Sequence, residues 1–501
     1  MSRSVRDSIF AVLHVEDYLL LAAVVLLPWA FGGVRLWAYR SAAFLIAAAS
    51  AAALIRKGWP GLGGGKGGAW LLPAFLLAGW AALQAVPLPP AVVRLVSPGA
   101  YAIYVENFPG YPGPAPSDVA AAIEADALDR VPEARIVPPP SDPAPPFTPE
   151  VRGRWSGWRS LSLHPAATIE RLFWYVALLL AFLLARTRVA ERGIFSAYGT
   201  VLFCLFGTLA AFGLVQKATW NGKIFWVTPK TEMTHPFGPY VNFIHFAGVM
   251  ELAVPWLAGF AWSRFRGDWR AALRDRSAVL SAATAVLCLS AAVAAASKAA
   301  AFLILASLSL LLLLNARDVA RRTIAAAVVA LVWGASSVLV WLTPLAARFQ
   351  YVLDVSGAGL KSVDRIIMWR AGLRMLRDFP FCGVGFGAFR DVYPRYLPFG
   401  ESGVTNQIHN DYLEMLLDGG IVAGVLVAWL AWGYWAKAMS SVGQREDAHL
   451  RPAFIGLLLG LASLSLHAAV DFNHQIPANA LLFVTAAALA LREPARPPRG
   501  G

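Results

Sequence analysis

Apolar and polar positions follow one another along this chain in long blocks. Runs of about 17 to 25 mostly apolar residues recur from one end to the other, which is the length a helix needs to cross a bilayer. About twelve apolar runs can be distinguished, a few of them shorter than this. They lie at 18–31, 36–54, 69–86, 169–185, 194–215, 241–262, 278–296, 299–314, 324–345, 411–436, 454–470 and 478–491. The pattern predicts an all-α polytopic membrane protein.

Two long polar segments interrupt these runs and suggest how the chain is divided. The predicted units are spans one to three (1–86), a first loop (87–168), spans four to nine (169–345), a second loop (346–410), and the last three spans with a tail (411–501). The middle of the first loop, 107–149, is rich in proline and poor in apolar residues, so we expect it to be partly disordered apart from a short helix at 118–131.

Composition and charge narrow the class of protein. The chain is 58% hydrophobic and only 15% charged, which excludes an ordinary soluble domain of 501 residues. Its net charge of +13 sits mainly in short loops between spans. If both termini are cytoplasmic, the positive-inside rule accounts for these basic loops without nucleic acid, and both long loops fall on the opposite side. Three cysteines offer no disulfide or metal-site spacing, and the first run reads as a retained span, not a signal peptide.

The second loop carries the main candidates for chemistry. It ends in His409 and Asn410, just before the tenth span. A histidine at the membrane surface can act as a general base near neutral pH, with Glu414 or Asp411 orienting its ring. The alternative is that His409 and Asn410 merely cap the following helix, since asparagine is a good N-cap. Both interpretations remain open from the sequence.

Basic residues near this histidine are candidates for binding an anion. Arg365 lies on a predicted interfacial helix, 363–378, where binding to lipid headgroups is the alternative. Lys298 is the charge at the tip of an apolar hairpin, and snorkelling to the surface is its alternative role. Arg390 and Arg395 complete the set of cations that suit a phosphate-bearing ligand. Gly383, Gly385 and Gly387 lack a Walker lysine and are predicted to make tight turns.

Five short motifs, in this order along the chain, resemble the O-antigen ligase and polymerase superfamily of bacterial envelope enzymes. They are Leu161-Ser-Leu-His-Pro165 with Thr168; Gly238-Pro-Tyr-Val-Asn242 with His245-Phe-Ala-Gly248; Arg365-Ile-Ile-Met-Trp369 with Asp378-Phe-Pro-Phe-Cys-Gly383-Val-Gly385; His409-Asn-Asp-Tyr-Leu413; and Asp471-Phe-Asn-His-Gln-Ile-Pro477 with Asn479. The chain departs from the family at Phe243-Ile244, where Arg-Asn is usual, and at Lys298, where many members have arginine. Lysine keeps the charge but not the bidentate geometry.

The resemblance implies a GT-C-like glycosyltransferase that needs no metal or cofactor. The implied donor is a glycan on polyprenyl (undecaprenyl) diphosphate, and the implied acceptor is another glycan or lipid A-core. His409 would be the general base and Arg365 would stabilise the departing diphosphate. Residues implied to bind substrate are Lys298, Arg390, Arg395, Asn410, Asn242, His245 and Tyr396. Trp155, Trp158, Tyr393 and Tyr396 offer stacking faces for sugars, or form an interfacial aromatic belt.

The same resemblance implies a place in the cell and partners. We expect a multi-pass protein of the bacterial inner membrane, with cytoplasmic termini, a periplasmic active site and a chain-length regulator as a possible partner. The Pro477 motif and the long first loop favour exopolysaccharide or O-antigen polymerisation over ligation. Two other classes remain as alternatives: a transporter or flippase of lipid-linked oligosaccharides, and a non-catalytic membrane scaffold. No internal repeat supports the transporter.

Overall fold

The fold is known from a computed structural model. It describes residues 12–57, 68–108, 111–112, 157–191, 193–231, 235–265, 269–316, 318–342, 360–397, 406–443 and 448–492. The short helix expected at 118–131 and the side chain of Trp155 lie outside these residues.

Seventeen α-helices account for most of the described chain. They are α1 Val15–Trp29, α2 Leu36–Lys57, α3 Leu72–Ala85, α4 Pro90–Val96, α5 Pro98–Asn107, α6 Pro165–Val189, α7 Ile194–Ala218, α8 Phe243–Arg264, α9 Trp269–Arg274, α10 Arg276–Ala295, α11 Lys298–Asn315, α12 Val319–Leu342, α13 Leu360–Asp378, α14 Phe389–Val392, α15 Asp411–Gly443, α16 Arg451–His467 and α17 Pro477–Ala490. Each of the twelve predicted spans coincides with one of these helices.

Length and apolarity support a membrane location. Eight of the described helices are long and apolar enough to cross a bilayer, and three shorter apolar helices accompany them, at Ala69–Ala85, Arg451–His467 and Pro477–Ala490. The expectation of an all-α, polytopic membrane protein is therefore confirmed. The boundaries of the five predicted units remain predictions.

The helices are arranged around α8. Its most apolar stretch is 78% buried, whereas that of α12 is only 6% buried and lies at the edge of the bundle. Helix α8 packs against α10, α11 and α16, and glycines of α16 allow these two helices to approach closely. A Cβ atom at Gly456 or Gly460 of α16 would come within 3 Å of α8 carbonyl oxygens, those of Pro255 and Leu252. Small residues at such crossings let transmembrane helices pack backbone to backbone.

A second, smaller core forms outside the bundle. It joins α4 and α5 of the first loop to α13, α14 and the segment around Ile408. Two short strands, β1 Pro87–Leu88 and β2 Arg159–Ser160, pair antiparallel. Their pairing brings the beginning and the end of the first loop together. A further short pair, β3 Lys223–Ile224 and β4 Thr228–Pro229, follows α7. The predicted helix 363–378 is confirmed, since α13 covers it.

The direction of the helices separates two polar ends of the bundle. Helix α6 begins near the second loop, where Thr168 bonds to Phe386, and its Arg171 contacts Gln475 between α16 and α17 (3.4 Å between nitrogen and oxygen). Seventeen residues later, about 25 Å along the helix, Arg188 binds Asp17 at the opposite end (2.6 Å). The candidate residues for chemistry therefore lie at one end, and a buried ionic cluster closes the other.

Candidate functional site

Asp471 is the centre of the polar groups that the structure brings together. It lies between α16 and α17 and is 1% exposed. Its Oδ1 atom faces Nδ1 of His409 at 3.5 Å and Nε2 of His245 at 3.6 Å, and its Oδ2 atom lies 3.8 Å from a guanidinium nitrogen of Arg365. These four residues, here called the Asp471 cluster, come from four separate parts of the chain.

The carboxyl of Asp471 is held in its charged form. Burial by itself opposes ionisation, but the electrostatic contacts with His245 and His409 outweigh it and hold the pKa of Asp471 far below its usual range. Its Oδ1 atom also accepts a hydrogen bond from the backbone N–H of Phe472 at 2.8 Å. The cluster therefore contains a fixed anion at neutral pH, placed between two imidazole rings and a guanidinium.

Phe472 keeps both rings in place. Its ring packs edge-on against His245 and His409, with centroid distances of 4.6 and 4.9 Å. His245 is buried in the first turns of α8, whereas the side chain of His409 is 30% exposed. Of the two imidazoles, His409 is thus the one that can meet a substrate from outside.

Arg365 reaches the cluster from helix α13. One guanidinium nitrogen donates a hydrogen bond to the backbone carbonyl of Val470 at 2.7 Å, while another faces Asp471. Its side chain is 35% exposed. The arginine is therefore anchored to the loop that carries Asp471 and still presents an edge to solvent, which suits the binding of an anionic group.

His409 stands in an unusual backbone conformation. Its φ is +53°, in the left-handed region that non-glycine residues rarely adopt. Asn410 follows as the N-cap of α15, and its side-chain oxygen accepts from the N–H groups of Tyr412 and Leu413 (3.1 and 3.0 Å). Asn410 thus does cap a helix, while the ring of His409 points to Asp471. Asn242 acts similarly, capping α8 by accepting from the N–H of Ile244 at 2.9 Å.

The expectation that Glu414 or Asp411 orients the imidazole of His409 is wrong. Glu414 instead accepts from the backbone N–H of Ile408 at 3.0 Å, and Asp411 accepts from the N–H of His474 at 2.8 Å. Asp471 takes the expected role, from a loop 62 residues further along the chain. The sequence does carry a signal for it: Asp471 is the single carboxylate in the short polar insert between the last two spans.

The glycine-rich segment, residues 383–387, folds into tight turns that pack against α15. The φ angles of Gly383, Gly385 and Gly387 are all positive, which confirms tight turns. Asp418 on α15 accepts from the N–H groups of Gly387 and Phe389 (2.8 and 3.2 Å). These amides are bonded to the protein's own carboxylate, so they do not form a phosphate cradle.

The Leu161–Pro165 motif fastens the first loop onto this glycine-rich segment. Leu163 donates its N–H to the carbonyl of Val384 (2.9 Å), and Thr168 donates its hydroxyl to the carbonyl of Phe386 (2.9 Å). His164 contacts Asp391 at 2.6 Å, and Asp391 also faces Arg390 at 3.5 Å. Arg390 is therefore placed in an exposed group where the two long loops meet.

Two other predicted binding residues make contacts away from the cluster. Arg395 pairs with Glu106 of α5 at 2.9 Å. The hydroxyl of Tyr396 donates to Asp378 at 2.6 Å, and its backbone carbonyl accepts from Arg374 at 2.8 Å. Burial and the bond to Asp378 raise the pKa of Tyr396 above its usual range. The structure thus gives Arg395 and Tyr396 roles in holding the loops together, and their contact with substrate remains a prediction.

Tyr393 does not offer a stacking face. Its side chain is fully buried and packs on Phe389, with 4.8 Å between the ring centroids. The expectation that it binds sugar is wrong, because the short helix α14 and the 3₁₀ turn after it direct Tyr393 into the second core.

Lys298 begins α11, and Ser297 caps this helix by accepting from the N–H of Ala300. Arg264, at the far end of α8 from His245, contacts Ser277 and Asp275 where α10 begins (3.2 and 3.7 Å). Helix α10 therefore runs back toward the His245 end, and the turn at Lys298 lies at that end. Helix α11 then packs against α8 and α16.

No group of three or more histidine, cysteine or acidic side chains in the described residues has the arrangement of a metal site. A buried carboxylate–imidazole pair lies deeper in the bundle: Glu251 of α8 and Nδ1 of His467 of α16 are 2.5 Å apart, and Ser463 donates to the other carboxylate oxygen at 3.0 Å. Sequence reasoning missed this pair because each residue lies singly in an apolar run.

Comparison with known proteins bears on the identity of the chain. Residues 283–428 match the family model described as O-antigen ligase. The match includes Lys298, Arg365 and His409 and ends before Asp471. No curated protein matches the chain. The matched region and the all-α polytopic fold support the resemblance of this chain to the O-antigen ligase and polymerase superfamily.

Proposed function

We propose that this protein transfers a glycan from a polyprenyl diphosphate carrier to an acceptor hydroxyl at the periplasmic face of the inner membrane. The observation that carries the proposal is the Asp471 cluster: a partly exposed imidazole has a buried carboxylate behind it and a guanidinium beside it. This set of groups can remove a proton and neutralise a departing anion at the same place. The family match supports the choice of reaction class.

His409 is the proposed general base. Asp471 faces its Nδ1 atom, which leaves Nε2 to accept the proton of the attacking hydroxyl. A carboxylate in this place fixes the tautomer and stabilises the imidazolium that forms, as in other carboxylate–imidazole pairs. The long contact of 3.5 Å is compatible with this role, since such contacts often shorten when substrate binds.

The reaction balances without a metal or cofactor. The acceptor oxygen forms a bond to the anomeric carbon from the face opposite the diphosphate, which inverts that centre. The bond between the anomeric carbon and the diphosphate oxygen breaks, and its electron pair leaves with the diphosphate. Arg365 stabilises this growing charge, with Lys298 and Arg390 as further cations at the same end of the bundle.

Polymerisation is the form of the reaction that we favour, with a second lipid-linked glycan as the acceptor. The contacts of the first loop support it: Leu163 bonds to the glycine-rich segment and His164 lies next to Asp391, so that the two long loops meet at this end. Ligation to lipid A-core uses the same chemistry and differs in the acceptor. A chain-length regulator is the expected partner of a polymerase.

Purified protein in detergent, supplied with a polyprenyl-diphosphate glycan, tests the proposal. We expect new glycosidic linkages and released polyprenyl diphosphate, both lost in His409→Ala. His449→Ala, which changes a histidine before α16 at the opposite end, is the matched control and should keep full activity. An unchanged glycan that merely changes side in proteoliposomes would instead indicate a transporter, and the absence of both events would indicate a scaffold.

A further inference from the structure

The strained backbone at His409 is held by its neighbour Ile408. A φ of +53° at a β-carbon-bearing residue costs free energy and persists only where the surrounding structure enforces it. The side chain of Ile408 is fully buried in the second core. Ile408 therefore cannot move to relieve the strain without leaving that core.

Both polar groups of Ile408 are bonded to side chains. Its N–H donates to Oε2 of Glu414 at 3.0 Å, and its carbonyl accepts from Nε1 of Trp369 at 3.0 Å. Glu414 lies in the first turn of α15, one turn after Asn410, and Trp369 lies on α13, one turn after Arg365. The residue that precedes His409 is thus bonded to two helices, to α15 through its N–H and to α13 through its carbonyl.

Glu414 and Trp369, which bond to Ile408, are themselves held in place by the surrounding structure. Glu414 is 3% exposed. With the side-chain amide of Gln407 turned so that its nitrogen faces Glu414, the orientation that satisfies both ends of the amide, it donates to Oε2 of Glu414 at 2.9 Å. Trp369 packs in the second core and shares α13 with Arg365, which contacts Asp471 and the carbonyl of Val470. Because Arg365 and Trp369 are four residues apart, they lie on the same face of α13. One helix face therefore sets the position of both the cation and the histidine.

We propose that Glu414 and Trp369 are positioning residues that hold the Ile408 backbone so that His409 keeps its left-handed conformation and its ring stays against Asp471. Neither residue touches the reacting atoms. Without either bond, His409 relaxes to an ordinary negative φ and its imidazole swings away from the carboxylate. This inference rests on the proposed function, because it assigns a purpose to the position of the general base.

Four variants test the inference in the glycan-transfer assay. Glu414→Ala and Trp369→Phe each remove one hydrogen bond to the Ile408 backbone. Each should lower kcat by about 10- to 100-fold, the scale expected for a misplaced catalytic group. KM for the donor should stay within about twofold, because Arg365 is untouched. Glu414→Gln keeps an acceptor oxygen for Ile408 and should recover at least a third of the wild-type kcat. The double variant should lose less than the product of the single losses, since both act on one residue.

The matched control is Asp318→Asn, which removes an exposed carboxylate that caps α12. It should leave kcat unchanged. The thermal midpoint in detergent is measured for every variant, so that a fall in kcat is read only where the midpoint is kept. If Glu414→Ala does not fold, Glu414→Gln and Trp369→Phe still decide the matter.

Two results would overturn the inference while leaving the proposed function intact. One is a wild-type kcat in folded Trp369→Phe and Glu414→Ala while His409→Ala is inactive. The other is a loss expressed in KM with kcat unchanged. If His409→Ala itself is active, the proposed function fails first, and the inference fails with it.

Discussion

At the scale of single residues, the site depends on the carboxylate of Asp471, which faces His409, His245 and Arg365 together. His409 and Arg365 were predictable, because each is an ionisable group in a polar island next to an apolar run. The partner of His409 was not. Glu414 and Asp411 are close to it in sequence, but α15 turns their carboxylates to Ile408 and His474, and a residue from a different loop approaches the ring. Only the folded chain determines that contact.

The charge state of Asp471 leads to a prediction about stability. Its pKa in the folded protein lies below its ordinary value of 3.8, so the ionised carboxylate stabilises the folded state. This contribution is complete above about pH 5 and is lost as the pH falls below about 4 toward the folded pKa. We expect the thermal midpoint of Asp471→Asn to lie below that of the wild type above about pH 5, and the gap to narrow as the pH falls below about 4.

Thermal scans in detergent at a fixed rate measure this gap, with Asp318→Asn as the control for the loss of an exposed carboxylate. A gap that stays the same down to pH 3, or that opens on acidification, would mean that Asp471 is not held as an anion by its histidine neighbours.

Arg365→Lys should reduce turnover more than stability. The arginine fork contacts both the carbonyl of Val470 and the carboxylate of Asp471, and a single ammonium group cannot reach both and also meet a phosphate. We expect kcat to fall by about 100-fold with a thermal midpoint close to that of the wild type. Initial rates of polyprenyl diphosphate release measure the effect, and normal turnover at normal expression would remove Arg365 from the proposed role.

At the scale of elements, hydropathy predicted the helices well and their mutual packing poorly. A helix is present at each of the twelve predicted positions, because lipid leaves an apolar backbone few alternatives to a helix. The glycine turns at 383–387 were also predictable, since positive φ favours glycine. The burial of Tyr393 was not, because the face that a short helix presents depends on the core against which it packs.

Glu251 and His467 test the packing of α8 against α16. Both are buried and joined at 2.5 Å, so removing one partner leaves the other without compensation in the bundle. Glu251→Leu is expected to cost about 3–5 kcal/mol, seen as a clear fall in the thermal midpoint. The double variant Glu251→Leu with His467→Phe replaces the pair by apolar groups and should recover most of the loss.

The thermal midpoints of the single and double variants are measured at one scan rate. This measurement does not depend on enzymatic activity. Equal thermal midpoints for the wild type and Glu251→Leu would show that the pair does not stabilise the packing of α8 against α16.

At the scale of the whole molecule, two polar ends face away from each other. One holds the Asp471 cluster. The other holds a buried ionic group in which Arg188 binds Asp17 through two nitrogens and Tyr198 donates to the same carboxylate at 2.9 Å. This second group joins the start of α1, the end of α6 and the start of α7. It closes the bundle at the end opposite the Asp471 cluster. In the topology that we propose from the positive-inside rule, this end lies in the cytoplasm and the site faces the periplasm.

The most direct test of the central claim, that His409 removes the acceptor proton beside the carrier diphosphate, is a single-turnover measurement of polyprenyl diphosphate release. Wild-type protein and His409→Ala are each saturated with the lipid-linked donor, and bound donor is measured in the same samples. We predict that His409→Ala binds the donor within about threefold of the wild type but releases diphosphate at least about 100-fold more slowly. Release at the wild-type rate from His409→Ala would contradict the account.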